Sequence, residues 1–247
     1  MAPNNKRRLQ AAQATLSLEQ TFTFVFLTFK NTSKNWPRDK GFAFECVRSI
    51  IFIIFWYFLF TVVSRALDIG LIVDASANVA GKRLIRIRNF LKQIVASFTV
   101  STSFTRFGMV EFSNYPRKLF DFNRFPNQAT LINALGHVPY MGGQAMLGKA
   151  LKYSAVKLFS RSPRKKVAIV VTGKSLDSVA GPARDLRRAG VKVVSVGIGV
   201  YSVPQLQQMA TNKRSVFATK FKTLNNIVRA IKQKASKGMF STSVLLH

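Results

Sequence analysis

The sequence predicts an α/β protein: a doubly wound, mainly parallel six-stranded sheet with helices on both faces. Three observations carry this. Strand-length apolar runs alternate with helical periods from residue 67 onward. The central runs, such as "GLIV", "VAIVV" and "VVSVGI", are continuous rather than alternating, as strands covered on both faces require. Helix-length connections between them suit the right-handed crossovers of parallel strands, which gather the strand carboxyl ends along one edge.

The elements follow in order. "LDIGLIVDAS" opens the sheet, and Asp74, Ser76 and Asn78 present oxygens at every second position after it. Residues 82–99 form an amphipathic helix, since Leu84, Ile87, Leu91, Ile94 and Phe98 recur at three- and four-residue steps. "RFGMVEFS" (106–113) and "RKLFDF" (117–122) pair as a hairpin around Asn114, Tyr115 and Pro116. Residues 128–136 form a short helix, Gly142 and Gly143 break the chain, and residues 145–159 form a longer helix. "KKVAIVVTG" (165–173) is a buried strand. The helix at 178–189 ends at Gly190, a left-handed cap, and "VKVVSVGIG" (191–199) is buried again. Ser202 caps a helix at 203–211 with Pro204 in its first turn. "SVFAT" (215–219) is the last strand and 224–235 the last helix.

Upstream, "IIFIIFWYFLFTVV" (50–63) carries no charge. As a helix it rises roughly 21 Å, short of a roughly 30 Å hydrocarbon core. With Arg38, Lys40 and Arg48 before it and Ser64–Arg65–Ala66 after it, it reads as a secretory signal, with an uncleaved signal anchor as the alternative. The chain divides into a disordered leader (1–49), this apolar signal or anchor segment (50–66), the folded domain (67–236) and a tail (237–247). The expected location is secreted, or membrane-anchored by a single pass through residues 50–63.

Charge sets further bounds. The 247 residues carry 38 basic against 9 acidic side chains. From Ala66 onward there are 29 basic and 6 acidic residues, so the excess belongs to the part that folds. Such a field favours anionic partners. Arg161, Arg164, Lys165 and Lys166, with Arg187 and Arg188, are the candidate anion-binding residues. No aromatic residues interleave among them, so sequence-specific single-strand binding is not suggested and nucleic acid is not the expected partner; binding of acidic glycan, anionic lipid or nucleic acid backbone by charge alone stays open. The lone Cys46 excludes an internal disulfide, and His137 and His247 make no zinc-type cluster with it. No serine lies in a Gly-x-Ser-x-Gly turn, and "GKS" (173–175) lacks the earlier glycine of a phosphate loop. No catalytic residue is assigned.

Five segments resemble one known family in order and spacing. "IGLIVDASANV" looks like the first strand and Asp-x-Ser-x-Ser motif of the von Willebrand factor type A, or integrin inserted, domain. "FGMVEFS", "YMGGQAMLGKAL" (140–151), "KVAIVVTGKSLDSV" (166–179) and "LRRAGVKVVSVGIG" (186–199) are similar to its later landmarks. The resemblance spans the whole domain and implies a Rossmann-like fold and a non-enzymatic adhesion role, often in matrix proteins, collagens and integrin receptors. It also implies a metal-ion-dependent adhesion site, where Mg²⁺ bridges the domain to a partner's carboxylate.

Placed on this sequence, that site is degenerate. Asp74 and Ser76 match the first two family positions, and Asn78 replaces the second serine. Ala145 stands where the family has threonine, and the aspartate after Thr172 is missing, the chain passing directly to Gly173. Asp177 matches a later aspartate of that turn, which is not a ligand. No cofactor is therefore expected, and Mg²⁺ would meet a poor ligand set in a strongly basic domain. Asp74 and Ser76 are instead expected to accept backbone N–H groups of the following loop, or to cap the helix near Lys82. The leading functional expectation is metal-independent binding of a protein ligand, a matrix component for instance. The alternative is a basic protein that binds glycan, anionic lipid or nucleic acid backbone on the same fold.

Overall fold

A computed structural model describes residues 66–236. The leader, the apolar segment up to residue 65 and the tail from 237 lie outside the described residues. Among those described, no helix is long and apolar enough to cross a membrane.

Six strands form one sheet: β1 (Leu67–Asp74), β2 (Thr105–Phe112), β3 (Pro116–Phe120), β4 (Lys165–Thr172), β5 (Val191–Ile198) and β6 (Val216–Thr219). Their order is β3-β2-β1-β4-β5-β6, with every pairing parallel except β2 with β3. Every side chain of β1 is buried, as its central place demands.

Helices cover both faces. One face packs α1 (Lys82–Ala96), α2 (Gln128–Leu135) and α6 (Val228–Ser236) on Ile69, Leu71, Val73, Val171 and Val196. The other packs α3 (Leu147–Ser154), α4 (Ala180–Arg188) and α5 (Val203–Met209) on Ile72, Val110, Val170 and Val193. Successive strand residues alternate between the two cores, the period-two consequence of the pleat.

Several bounds differ from the periodic reading, each for a local reason. α1 stops at Ala96, and Phe98 and Val100 reach the core from the loop beyond it, extending the apolar period past the helix. The helix expected over 145–159 is α3 followed by a π-helical turn, Ala155–Phe159. That wider turn lays Leu158 and Phe159 on the sheet above Gly70 and Gly108, which are register partners. A Cβ on Gly70 would stand 2.3 Å from Phe159 Cζ, and one on Gly108 2.6 Å from Leu158 Cδ1. The last helix begins as a 3₁₀ segment, Phe221–Ile227, before becoming α6. Gly190 does adopt φ +77°, and Ser202 Oγ accepts the Gln205 N–H, as the cap signals predict.

Two buried acids on the sheet bind arginine. Asp68 on β1 pairs with Arg106 of the neighbouring strand. Glu111 on β2 is fully buried and accepts Arg117 Nε–H at 2.7 Å through Oε1, while Oε2 has no partner. Burial pushes the Glu111 carboxyl above its ordinary 4.5, against the lowering effect of Arg117. The folded state therefore holds the proton longer than the unfolded chain does, and stability falls as pH rises from about 4.5 through the higher folded value. In Glu111→Gln this segment is absent. Denaturant unfolding across that range should show wild type losing stability relative to the variant as pH increases, with the gap constant once the carboxyl is ionised in both states.

Candidate binding site at the strand carboxyl ends

The parallel strands bring five loops to one edge. Asp74 closes β1 and is fully buried. Its Oδ1 accepts Ser76 N–H at 2.8 Å, and its Oδ2 accepts Gly173 N–H at 3.1 Å. One carboxylate thus ties the loop after β1 to the loop after β4. Ser76 Oγ accepts Asn78 N–H at 3.3 Å and caps the 3₁₀ turn Ala77–Val79. Asp74 and Ser76 accept backbone N–H groups of the following loop as expected, but neither caps α1. The residue before α1 is Gly81, which makes no side-chain cap.

The Asn78 side chain lies against Gly173, where a Cβ would stand 3.1 Å from Nδ2. Asn78 O accepts from Arg83 Nη1 at 3.1 Å, so a guanidinium sits beside the cluster. Ala145 contributes only its backbone: its carbonyl accepts Leu176 N–H at 3.0 Å and lies 3.1 Å from Ser175 Oγ.

Asp177 has a clear place. Its Oδ1 accepts Gly148 N–H at 2.8 Å and Ser175 Oγ–H at 2.7 Å, and its Oδ2 accepts Lys149 N–H at 2.9 Å. α3 has no side-chain cap of its own, and the turn after β4 supplies one from 29 residues away.

The remaining loops are joined in the same way. Ala75 O accepts the Met141 and Gly142 N–H groups, Gly143 O accepts Ala77 N–H, and Val200 O accepts Lys174 N–H. Asn114 Oδ1 accepts Gln144 N–H, fastening the β2–β3 hairpin to the same surface.

A family model described as "von Willebrand factor type A domain" matches residues 68–233. The chain belongs to the von Willebrand factor type A domain family. Its domain is 30% identical over 172 residues to vitrin of Mus musculus, covering 67% of this chain and 26% of vitrin. It is 29% identical over 180 residues to matrilin-1 of Homo sapiens, covering 69% of this chain and 36% of matrilin-1. Among solved structures, proximal thread matrix protein 1 from the mussel byssus superposes with a TM-score of 0.66 at 25% identity, over 70% of this chain and 47% of that one. The chain thus spans less than half the length of each of these proteins. Another structure of the mussel protein, 26% identical here, has zinc in its metal-ion-dependent adhesion motif.

The donors of this von Willebrand A domain do not fit such an ion. Both Asp74 oxygens hold backbone N–H groups, Gly173 and not a carboxylate directly follows Thr172, and Ala145 has no side-chain oxygen. Among the described residues, no three His, Cys, Asp or Glu side chains cluster to hold a metal.

What the edge does offer is apolar surface. Tyr115, Tyr140, Leu176, Val200 and Val203 are exposed, and all five belong to loops or a helix start at the strand carboxyl ends. No sequence period singles them out, because they come from four separate segments. Strand topology alone gathers them.

The predicted anion-binding residues lie at the opposite edge, where β4 and β5 begin. Arg161, Lys165 and Arg188 are exposed there, and Lys166 is half-buried. Arg164 and Arg187 are engaged internally. Arg164 donates to the Thr102 and Phe104 carbonyls, and burial lowers its pKa, with the neighbouring Arg106 acting in the same direction. Arg187 Nη1 donates to the Gln208 and Met209 carbonyls at 2.7 and 2.8 Å, anchoring the end of α5.

Proposed function

We propose that this domain is a non-enzymatic protein-binding module of the extracellular matrix or cell surface, engaging its partner at the strand carboxyl ends without a bridging metal. The observation that carries the reading is the exposed set Tyr115, Tyr140, Leu176, Val200 and Val203 around a cluster tied by hydrogen bonds. Tyrosines are common anchors of a protein interface, and the leucine and valines beside them add apolar area for a partner to bury. In a metal-bridged domain the cation supplies the central contact. Here Asp74 spends both oxygens on the backbone, and the apolar rim takes over that role. The names of relatives, which include collagen chains, matrilin-1 and a thread matrix protein, favour a matrix setting and a secreted protein.

The test joins two measurements on the full chain. Binding to an immobilised collagen-rich matrix layer should be unchanged by EDTA and should fall about tenfold in Leu176→Asp/Val200→Asp, the loss of roughly 1.4 kcal/mol or more of apolar contact. Titration with about 1 mM Mg²⁺ or Mn²⁺ should leave the thermal midpoint unmoved, since only an ion bound to the folded state raises it. Loss of adhesion in EDTA, or a raised midpoint with either ion, would overturn metal independence. The second reading, charge-driven capture of a polyanion, draws on the opposite edge of the sheet.

A further inference from the structure

We propose that the strand amino-end edge carries a second binding site, for a sulfated polysaccharide, centred on a cavity among Lys192, Lys213, Arg214 and Lys234. The cavity has a volume of about 470 Å³, and Asn212 and Ser215 complete its lining. Its four cations come from three places in the chain. Lys192 is the second residue of β5, Lys213 and Arg214 form the 3₁₀ turn that leads into β6, and Lys234 lies in the last turn of α6. Parallel pairing of β5 with β6, and a Lys192 ammonium that donates to the Lys234 carbonyl, hold them together.

None of the six lining residues is acidic. Among the described residues, Asp68, Glu111, Asp121 and Asp185 form their ion pairs with other cations, not with Lys213, Arg214 or Lys234. Lys213, Arg214 and Lys234 place three like charges around one cavity and raise the local potential, which an anion relieves. The field continues sideways along the sheet. Lys166 pairs in register with Val191, one residue from Lys192, and exposed Arg161, Lys165 and Arg188 lie along the same edge. A row of cations at strand starts, with about 4.8 Å between neighbouring strands, suits a chain of regularly spaced anionic groups better than a single small ion.

The class of polyanion follows from what the cavity lacks and has. It has no aromatic ring on which a base could stack. None of the six lining residues is an apolar side chain that would enter a bilayer. Asn212 adds amide donors that sugar hydroxyls accept. Sulfates with hydroxyls between them fit this lining. The site is independent of the protein-binding reading, because it uses a different edge and different side chains.

The test uses heparin oligosaccharide as probe and the full chain at about 0.15 M salt, where exposed charges more than a Debye length apart are screened. Lys213→Glu/Arg214→Glu should weaken binding at least about tenfold, the scale of placing like charges against the probe. Lys82→Glu/Lys174→Glu changes the net charge equally at exposed positions away from the cavity and should weaken it by no more than about threefold. Lys213→Gln/Arg214→Gln removes the charges without reversing them and should fall between the two, which keeps the test decisive if the first variant fails to fold. Equal losses at both places would show attraction to overall charge and overturn the site. A single-stranded oligonucleotide of equal charge that displaces heparin as well as heparin itself would overturn the assignment to a sulfated polysaccharide.

Discussion

Replacing Asp68 by alanine should destabilise the domain by about 3–5 kcal/mol, the cost of stranding one member of a buried ion pair. Asp68 sits on β1 with no exposed side-chain surface. Its two oxygens accept Arg106 Nε–H at 2.7 Å and an Arg106 Nη2–H at 2.6 Å, a bidentate pair across adjacent strands. Ser162 Oγ also donates to Asp68, so the same carboxylate fastens the turn before β4. Alanine would leave the Arg106 guanidinium, itself 14% exposed, with Asn123 Oδ1 as its remaining side-chain acceptor and the cationic Arg164 nearby. Denaturant unfolding measures the loss directly. Asp68→Leu/Arg106→Leu should recover much of it, because removing both charges removes the stranded one. A single-variant loss below about 1 kcal/mol would mean that water reaches the guanidinium and that the pair behaves as a surface one.

Gly148→Ala should cost about 3 kcal/mol, against the sign that helix propensity gives. Alanine in place of glycine stabilises a helix by about 1 kcal/mol where space permits. At this position the new Cβ would stand 2.1 Å from the Ser178 carbonyl oxygen and 2.9 Å from Asp177 Oδ2. The first is backbone and cannot swing away, so α3 and the turn after β4 must separate, an overpacking cost of about 1–3 kcal/mol. Separation also breaks the Asp177 cap, worth about 1 kcal/mol more. Asp177→Ala should show that smaller part alone. Both changes displace Leu176, so both should weaken partner binding at the strand carboxyl ends more than Asp68→Ala does in its remaining folded fraction. A Gly148→Ala variant as stable as wild type would show that the two elements are not in contact in solution.

The central strands were legible in the sequence because burial on both faces leaves a continuous apolar run that little else of strand length produces. The failures lie where tertiary packing reuses the same residues. Phe98 keeps the helical period of 82–99, yet reaches the core from a loop, so periodicity overshoots the helix. Leu158 and Phe159 look like the next turn of a helix, but two glycines on neighbouring strands draw them into a π turn that no residue pattern announces.

The candidate site shows the same division. Asp74 and Ser76 were recognisable as acceptors for the loop that follows them, since short polar side chains after a strand bond locally. The bond from Asp74 to Gly173 spans 99 positions and needed the strand order. Sequence also located positive charge as runs, at 161–166 and 187–188, whereas the cavity draws on Lys192, Lys213, Arg214 and Lys234, which come from three separate places in the chain. Strand starts in a parallel sheet share an edge whatever their separation, and basic residues at successive strand starts were the signal available.

The domain's polypeptide comes and goes by one door. Leu67 enters at the amino end of β1, and Ser236 leaves from the end of α6, beside Lys234 and the cations of the cavity. Both ends of the described residues therefore lie at the basic edge, and the tyrosine-bearing loops lie at the opposite one.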